Sequence, residues 1–488
     1  MTVMQNCAFG KQILLKADKI GFTKRNCVST NYNHYTVTYY FLQAEMMEMT
    51  RIINAIGGVI WGTPMLIFFL FVGLYFTLKS RFFQIRGAQK VFNVTLKSLF
   101  KKEKSSEDGI SQFGAFCSVL AACIGTGNIV GVATAIYSGG PGSVFWMCVS
   151  AFISMMTAYS ENFLGISYRF RNKYGKISGG AFQYIEKGVK MKGLAKFYAA
   201  FCLLSTLGMG NMAQANSVSA SLKTGFFIPN YISGIVVATA CFFVIRKGVK
   251  GISKLSEIIV PVMTVSYLVL SFGVLFIFRD RIIPTIKLIF TEAFSIKAIN
   301  GFSMLSAMRY GISRGVFSNE AGLGSSTIIH SEAKNTTPQA QGMWAMTEVF
   351  VDTIFLCTVM ALVILVSGSF TPNGELYGAE LSVAAFGVLG DIGKKGIAAL
   401  TALFSFASLT GCSFYGEKSA EYIFTHRAIK PYKVIYLILA VIGCTIPSET
   451  VWAIADIFNG LMAIPNLFAI FILRNEVEFP AKKEMPCH

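Results

Sequence analysis

The chain has 488 residues, of which 53% are hydrophobic and only 14% charged, with a mean hydropathy of +0.56. Soluble proteins carry about 25% charged residues, so this is an integral membrane protein, with room for about ten to twelve spans at roughly 20 residues each. A large soluble catalytic domain is excluded, the long continuous apolar runs argue against a β-barrel, and the net charge of +18 sits in loops between apolar runs, which fits a membrane topology rather than a nucleic-acid partner.

Residues 1–50 mix Asn, Thr, Tyr and Cys without sustained periodicity and lack the uninterrupted apolar core of a signal peptide. They read as an N-terminal extension, with Met46, Met47 or Met49 as a candidate true start. Eleven spans follow, numbered zero to ten: about 56–78, 112–137, 141–167, 197–222, 230–245, 255–278, 300–325, 342–368, 396–424, 433–447 and 449–473. Loops 79–108 and 168–196 hold eight Lys and Arg each, and loop 246–254 holds four. Alternating spans put all three on one side, the cytoplasm. The N-terminus is then outside and the tail, 475–488, cytoplasmic. The five basic residues between Lys11 and Arg25 conflict with an outside location, which strengthens the doubt over that extension. Most cysteines lie inside apolar runs and read as small hydrophobes.

Two spans break membrane rules. Non-helical backbone in hydrocarbon leaves N–H and C=O groups unpaired at several kcal/mol each, so it survives only where those groups line a cavity or bind something. Span one carries Gly125-Thr126-Gly127-Asn128 in its middle. This reads as a helix break or as close packing through the Gly127-x-x-x-Gly131 pair. Span six carries four glycines with Arg314, Asn319 and Glu320 over 311–326. It reads as a re-entrant or cytoplasmic loop, or as a second broken helix facing a polar cavity. Two broken helices five spans apart fit a transporter built from two inverted five-helix repeats, 111–278 and 279–474, with 51–110 as an accessory helix and basic loop. A half-helix after a break offers free N–H groups to a carboxylate, and one before it offers carbonyls to a cation.

Gln214 can donate and accept at mid-membrane. Glu161, Glu348 and Asp352 read as groups paired within the bundle. His330 and His426 fall in predicted cytoplasmic loops. No Walker A, His-Glu-x-x-His or Gly-x-Ser-x-Gly motif occurs, so an enzyme is not expected.

Gly125-Thr-Gly-Asn-Ile-Val-Gly-Val-Ala-Thr-Ala-Ile136, Gly139-Gly-Pro-Gly-Ser-Val-Phe-Trp-Met147, Gly210-Asn-Met-Ala-Gln-Ala-Asn-Ser217, Arg314-Gly-Val-Phe-Ser-Asn-Glu-Ala-Gly-Leu-Gly-Ser325, Tyr415-Gly-Glu-Lys418 and Phe458-Asn-Gly-Leu-Met-Ala-Ile-Pro-Asn466 together resemble the alanine or glycine:cation symporter family, from about Ile53 to Leu473. The resemblance implies an all-α, leucine-transporter-type fold of about 11 transmembrane helices: a five-plus-five inverted repeat with one N-terminal accessory helix. It implies Na⁺-coupled symport of a small neutral amino acid of the alanine or glycine type across the cell membrane, with no cofactor beyond the coupling ion and only lipid as a further partner. Thr126 and Gly127 N–H groups would hold the substrate carboxylate, beside Asn128. Gln214, Phe317 and Ser318 would complete the pocket, and the carbonyls of Ala121 and Ile124 with Ser408 would bind Na⁺. Two departures stand out. Ala407 precedes Ser408 where a second hydroxyl is expected, and Cys412 stands in place of a Trp that looks pocket-lining, which enlarges the pocket. Alternatives are a larger substrate such as glutamine or serine, proton coupling through Glu161, Glu257 or Asp352, and a passive channel.

Overall fold

The computed structural model describes residues 55–95, 109–172, 175, 177–295, 302–372, 374–446 and 448–480. The expectations for residues 1–50, for 96–108 of the basic loop before span one and for 481–488 of the cytoplasmic tail lie outside the described residues. From Ile60 onward these residues form one compact unit. It is helical apart from a two-residue antiparallel ladder, Phe170–Arg171 with Ile177–Ser178, and an isolated bridge between Ile110 and Ala333.

Span zero is Thr63–Lys79. Span one is Gln112–Cys123 followed by Gly127–Gly131 and Val132–Gly139, with a bend of 47°. Span two is Gly142–Ser167. Span three runs Lys192–Leu207, a π-helical stretch Gly208–Ala213, then Gln214–Phe226. Spans four and five are Asn230–Ile245 and Gly248–Ile277. Span six is Met304–Asn319, a break, and Ser326–His330. Span seven joins Pro338–Val349 to Thr358–Ser367 through a π-helical stretch, Phe350–Cys357. Spans eight, nine and ten are Gly390–Phe424, Ile429–Gly443 and Ser448–Ile472. Six of these assemblies are long and apolar enough to cross a membrane as single elements, and the bent span one makes a seventh.

Three expectations change. The basic segment 246–254 is mostly helix, because span five begins at Gly248 and carries its lysines on the first turns. His330 is not in a loop. It ends the second half of span six, is fully buried, and lies 2.9 Å from Glu348 of span seven. Helices at Ala181–Lys187, Arg279–Ala293 and Ala379–Phe386 occupy stretches predicted as loop.

Small residues set the spacing around the breaks, as close helix approach in membranes requires. A Cβ added to Gly411 of span eight would sit 3.0 Å from Ala122 of span one. One added to Gly311 of span six would sit 2.3 Å from the Ser143 carbonyl oxygen of span two. That neighbour is backbone and cannot rotate aside. Gly311→Ala is therefore expected to destabilise by about 1–3 kcal/mol through overpacking. The check is the melting temperature of the purified protein in detergent. Gly193→Ala, with nothing within 4 Å of its new methyl, should leave it unchanged.

Candidate substrate and ion site

The first helical half of span one stops because its carbonyls lose their donors. Ile124 turns to ψ 81°, and the Gly125 N–H points to the Cys123 carbonyl at 2.8 Å instead of to Ala121. The Thr126 N–H does not return to Ala122. It donates to the side-chain oxygen of Gln214, 3.2 Å away on span three. The freed Ala122 carbonyl accepts from the Ser408 hydroxyl of span eight. Added at Gly125, a Cβ would meet Ser408 Oγ at 2.7 Å and Gln214 Oε1 at 2.9 Å. Spans one, three and eight therefore meet at one point, which leaves no room for a side chain there. Ser408 sits one residue away from its expected partners, bonded to Ala122 between Ala121 and Ile124.

The break in span six is written in left-handed backbone. Glu320 has φ +54°, Gly322 +85° and Gly324 +74°. Only glycine adopts the last two without strain. The exposed groups are then taken up by side chains. The Ala321 N–H donates to Asn319 Oδ1 at 3.0 Å, the Leu323 carbonyl accepts from the Tyr198 hydroxyl at 2.9 Å, and the Gly322 carbonyl accepts from Asn466 at 2.9 Å. Asn466 also donates to Glu161.

The two breaks face each other. A Cβ on Gly127 would lie 2.9 Å from the Ser318 Cα. Beside that contact lies a carboxylate, Asp352, on the π-helical part of span seven. Asn128 Nδ2 donates to Asp352 Oδ1 at 2.8 Å, and the hydroxyls of Ser318 and Thr353 both donate to Oδ2 at 2.7 Å. Thr126 Oγ1 and Asn128 Oδ1 are buried without a hydrogen-bond partner. Buried polar atoms are rarely left so, and both sit where a ligand would be.

Above this centre, Phe317 stacks on Trp452 of span ten at 4.7 Å between ring centroids. Arg314 lies over both rings and makes a two-pronged ion pair with Asp456, at 2.9 and 2.6 Å. At the opposite end, Lys418 of span eight lies 3.0 Å from Glu332 and donates to the Ile177 carbonyl. Arg169 donates to the Ser331 and Ala333 carbonyls. Burial pushes the Glu332 carboxyl up, and Lys418 opposes that shift. Both ends of the bundle are latched.

Cys412 lies to one side of the breaks. It packs against Gly210, where a Cβ would come within 2.5 Å of its own, and lines a pocket with Met209, Glu320 and Tyr415. The Tyr415 hydroxyl there is buried without a partner. The structure thus gathers Thr126, Gly127, Asn128, Gln214, Ser318 and Ser408 around one centre, with Phe317 as its roof. Asp352 joins them, although the sequence reading left it as a group paired within the bundle. Its proximity to Ser318 depends on how spans six and seven cross, which spacing along the chain does not report.

Two helices broken at facing points within a polytopic bundle define a secondary transporter rather than an enzyme. The sodium:alanine symporter family model matches residues 46–483, and the chain belongs to that family. It is 39% identical over 439 residues to the sodium/alanine symporter AgcS of Methanococcus maripaludis, covering 88% of this chain and 96% of that one. It is 33% identical over 438 residues to the probable sodium/glutamine symporter GlnT of Bacillus subtilis, covering 89% and 90%. Among solved structures, MhsT in complex with L-phenylalanine superposes with a TM-score of 0.58 at 14% identity, over 76% of this chain and 90% of that one. The fold is the leucine-transporter type, in a multi-pass membrane protein.

The Arg314–Asp456 pair joins the roof of the site to span ten. Arg314 is nearly buried and Asp456 partly exposed, so removing either member leaves the other charge uncompensated at a cost below the ~3–5 kcal/mol of a fully buried pair. Arg314→Ala and Asp456→Ala should each lower substrate uptake at least about tenfold. Arg314→Lys keeps the charge but loses the two-pronged geometry, so uptake should recover only in part. Initial rates in proteoliposomes measure all three.

Proposed function

We propose that the protein couples the inward movement of Na⁺ to uptake of a small neutral amino acid. One observation carries this reading: the break in span one has an anion-receiving face and a cation-receiving face side by side. On one face the Thr126 N–H holds an amide oxygen, the kind of partner a substrate carboxylate replaces. On the other, the Ser408 hydroxyl meets a carbonyl released from the helix. Hard oxygen donors suit Na⁺. The carboxylate docks on Thr126 and Gly127, displacing Gln214, while the ammonium meets the carbonyls and hydroxyl near Phe317, Ser318 and Asn319. Na⁺ binds between Ser408 and the carbonyls of Ala121 and Ile124, which orders the break. Substrate then binds well only after the ion, and that linkage is the coupling.

The excess of basic residues in loops 79–108 and 168–196 puts those loops in the cytoplasm, with the N-terminus outside and the tail inside. Arg314–Asp456 is then the outer latch and Lys418–Glu332 the inner one. Opening them in turn gives alternating access.

A second reading of the substrate follows from Cys412. The space beside it, next to the unpartnered Tyr415 hydroxyl, holds about one water molecule. Serine then ranks beside alanine and glycine, and glutamine requires that space to widen.

Labelled alanine, glycine, serine and glutamine should be tested in proteoliposomes with and without an inward Na⁺ gradient. Accumulation that persists when K⁺ or choline replaces Na⁺ would overturn the coupling. Ser408→Ala should raise the half-saturating Na⁺ about fivefold, since one lost hydroxyl ligand is worth roughly 1 kcal/mol. The rate at saturating Na⁺ should fall much less. Cys412→Ala widens the space beside Tyr415, so it should raise glutamine uptake relative to alanine uptake; equal changes in both would detach the pocket from specificity.

A further inference from the structure

The segment after span zero belongs to neither break and to neither latch. Span zero ends in left-handed backbone at two consecutive residues that are not glycine, Arg81 at φ +54° and Phe82 at φ +57°. Such residues seldom sit there. Their N–H groups close on the Leu78 and Thr77 carbonyls at 2.9 and 2.8 Å. The chain then turns into two short helices, Phe83–Arg86 and Ala88–Val94, instead of extending the span. One face of this segment is anchored. Phe83 is buried edge-on against Tyr159 of span two, at 6.0 Å between ring centroids. Gln84 donates to the Thr77 hydroxyl at 3.2 Å, and Thr95 accepts from the Thr347 hydroxyl of span seven at 3.4 Å.

The opposite face is bare. Phe82, Ile85 and Phe92 are 43%, 64% and 54% exposed. Arg81 and Arg86 are exposed beside them, and Lys90 is half-buried. Among the described residues no ion pair includes any of these three cations. Arg86 gives one N–H to the Ser80 carbonyl at 3.1 Å and keeps its others. Every charged residue from 80 to 102 is basic: Arg81, Arg86, Lys90, Lys97, Lys101 and Lys102. A solvated charged face does not account for the three bare apolar side chains, and contact with lipid tails alone does not account for three unpaired cations. A membrane surface meets both demands, with the apolar groups at the acyl boundary and the cations at the headgroups. The membrane-crossing helix ends at Lys79, which puts the segment at that level.

We propose that residues 81–94 form a docking surface for the phosphate headgroup of an anionic phospholipid, with Arg81, Arg86 and Lys90 as donors and Phe82, Ile85 and Phe92 against the acyl chains. Guanidinium groups take phosphate oxygens through paired N–H donors. Arg86 and Lys90 are four residues apart on turns joined by the bond from the Val91 N–H to the Gly87 carbonyl, at 2.9 Å, so they share a face. The topology proposed above puts the segment at the cytoplasmic leaflet, where anionic lipids concentrate. Because its other face is fixed to spans two and seven, a bound headgroup ties those spans to the leaflet.

The test uses the purified full-length protein, stripped of lipid in neutral detergent and titrated with dioleoylphosphatidylglycerol. Mass spectrometry of the intact complex counts bound lipid, and the melting temperature reads stabilisation. Phosphatidylglycerol should bind and raise the melting temperature; dioleoylphosphatidylcholine and inorganic phosphate at the same concentration should not. Each basic residue at an anionic surface contributes about fivefold in affinity. The triple variant Arg81→Gln, Arg86→Gln, Lys90→Gln should therefore weaken phosphatidylglycerol binding by about a hundredfold, and Arg86→Gln alone by about fivefold. The single variant carries the test if the triple one does not fold. Lys223→Gln, Lys394→Gln and Lys395→Gln together remove the same charge from the end of span three and the start of span eight, and should leave binding as in the native protein. Stabilisation by phosphatidylcholine equal to that by phosphatidylglycerol refutes the headgroup site. So do equal losses in the two triple variants, or native binding in both the first triple variant and Arg86→Gln. Inorganic phosphate that stabilises as well as the lipid refutes lipid as the occupant. No readout involves uptake, so failure here leaves the transport reading standing.

Discussion

Backbone polar groups cannot be left bare in a medium that offers no water, and the architecture of this protein follows from how that rule is met at two places. Each break releases N–H and C=O groups in the middle of the bundle. In span six they are met by Asn319 of the same span, Tyr198 of span three and Asn466 of span ten. In span one they are met by Gln214 of span three and Ser408 of span eight. Span three thus carries a partner for each break.

The surrounding scaffold serves these joints. Glycines at 311 and 411 let spans two, six, one and eight approach to backbone contact. The approach brings Gly127 against Ser318 and places Asp352 beside both. Latches then close each end, one made of rings and a two-pronged ion pair, the other of a lysine, a glutamate and loop carbonyls. Charged pairs thus lie toward the ends, and a carboxylate with neutral partners, Asp352, lies in the centre.

Much of this is legible in the chain itself. Glycine and asparagine inside apolar runs mark both sites, as a break or close packing in span one and as a break or a loop in span six, and the structure shows the break at each. Span four, 230–245, is flanked by Pro229 and Arg246 and falls where expected. Other features are silent. A π-helical stretch such as Phe350–Cys357 uses ordinary apolar residues, so its extra residue per turn leaves no compositional mark. Arg314 and Asp456 are 142 residues apart, and only the packing of span ten on span six joins them. His330 misleads because polar neighbours such as Ser331 and Glu332 look like a loop. Glu348 and Gln341, which satisfy the imidazole in the interior, come from the next span. Breaks that need glycine are readable from the sequence. A π-helical stretch, and residues whose meaning lies in a distant partner, are not.

The bond from the Thr126 N–H to Gln214 also bears on the empty carrier. A donor at the centre of a transport path is a liability when nothing is bound, because water drawn in to satisfy it would open a leak. Gln214 removes that liability with an uncharged oxygen from the protein itself. On the proposed transport reading, a carboxylate arriving at the same N–H would exchange with that oxygen, and its net gain would be the difference between a charged and a neutral acceptor, less than the whole bond, which would ease release on the far side.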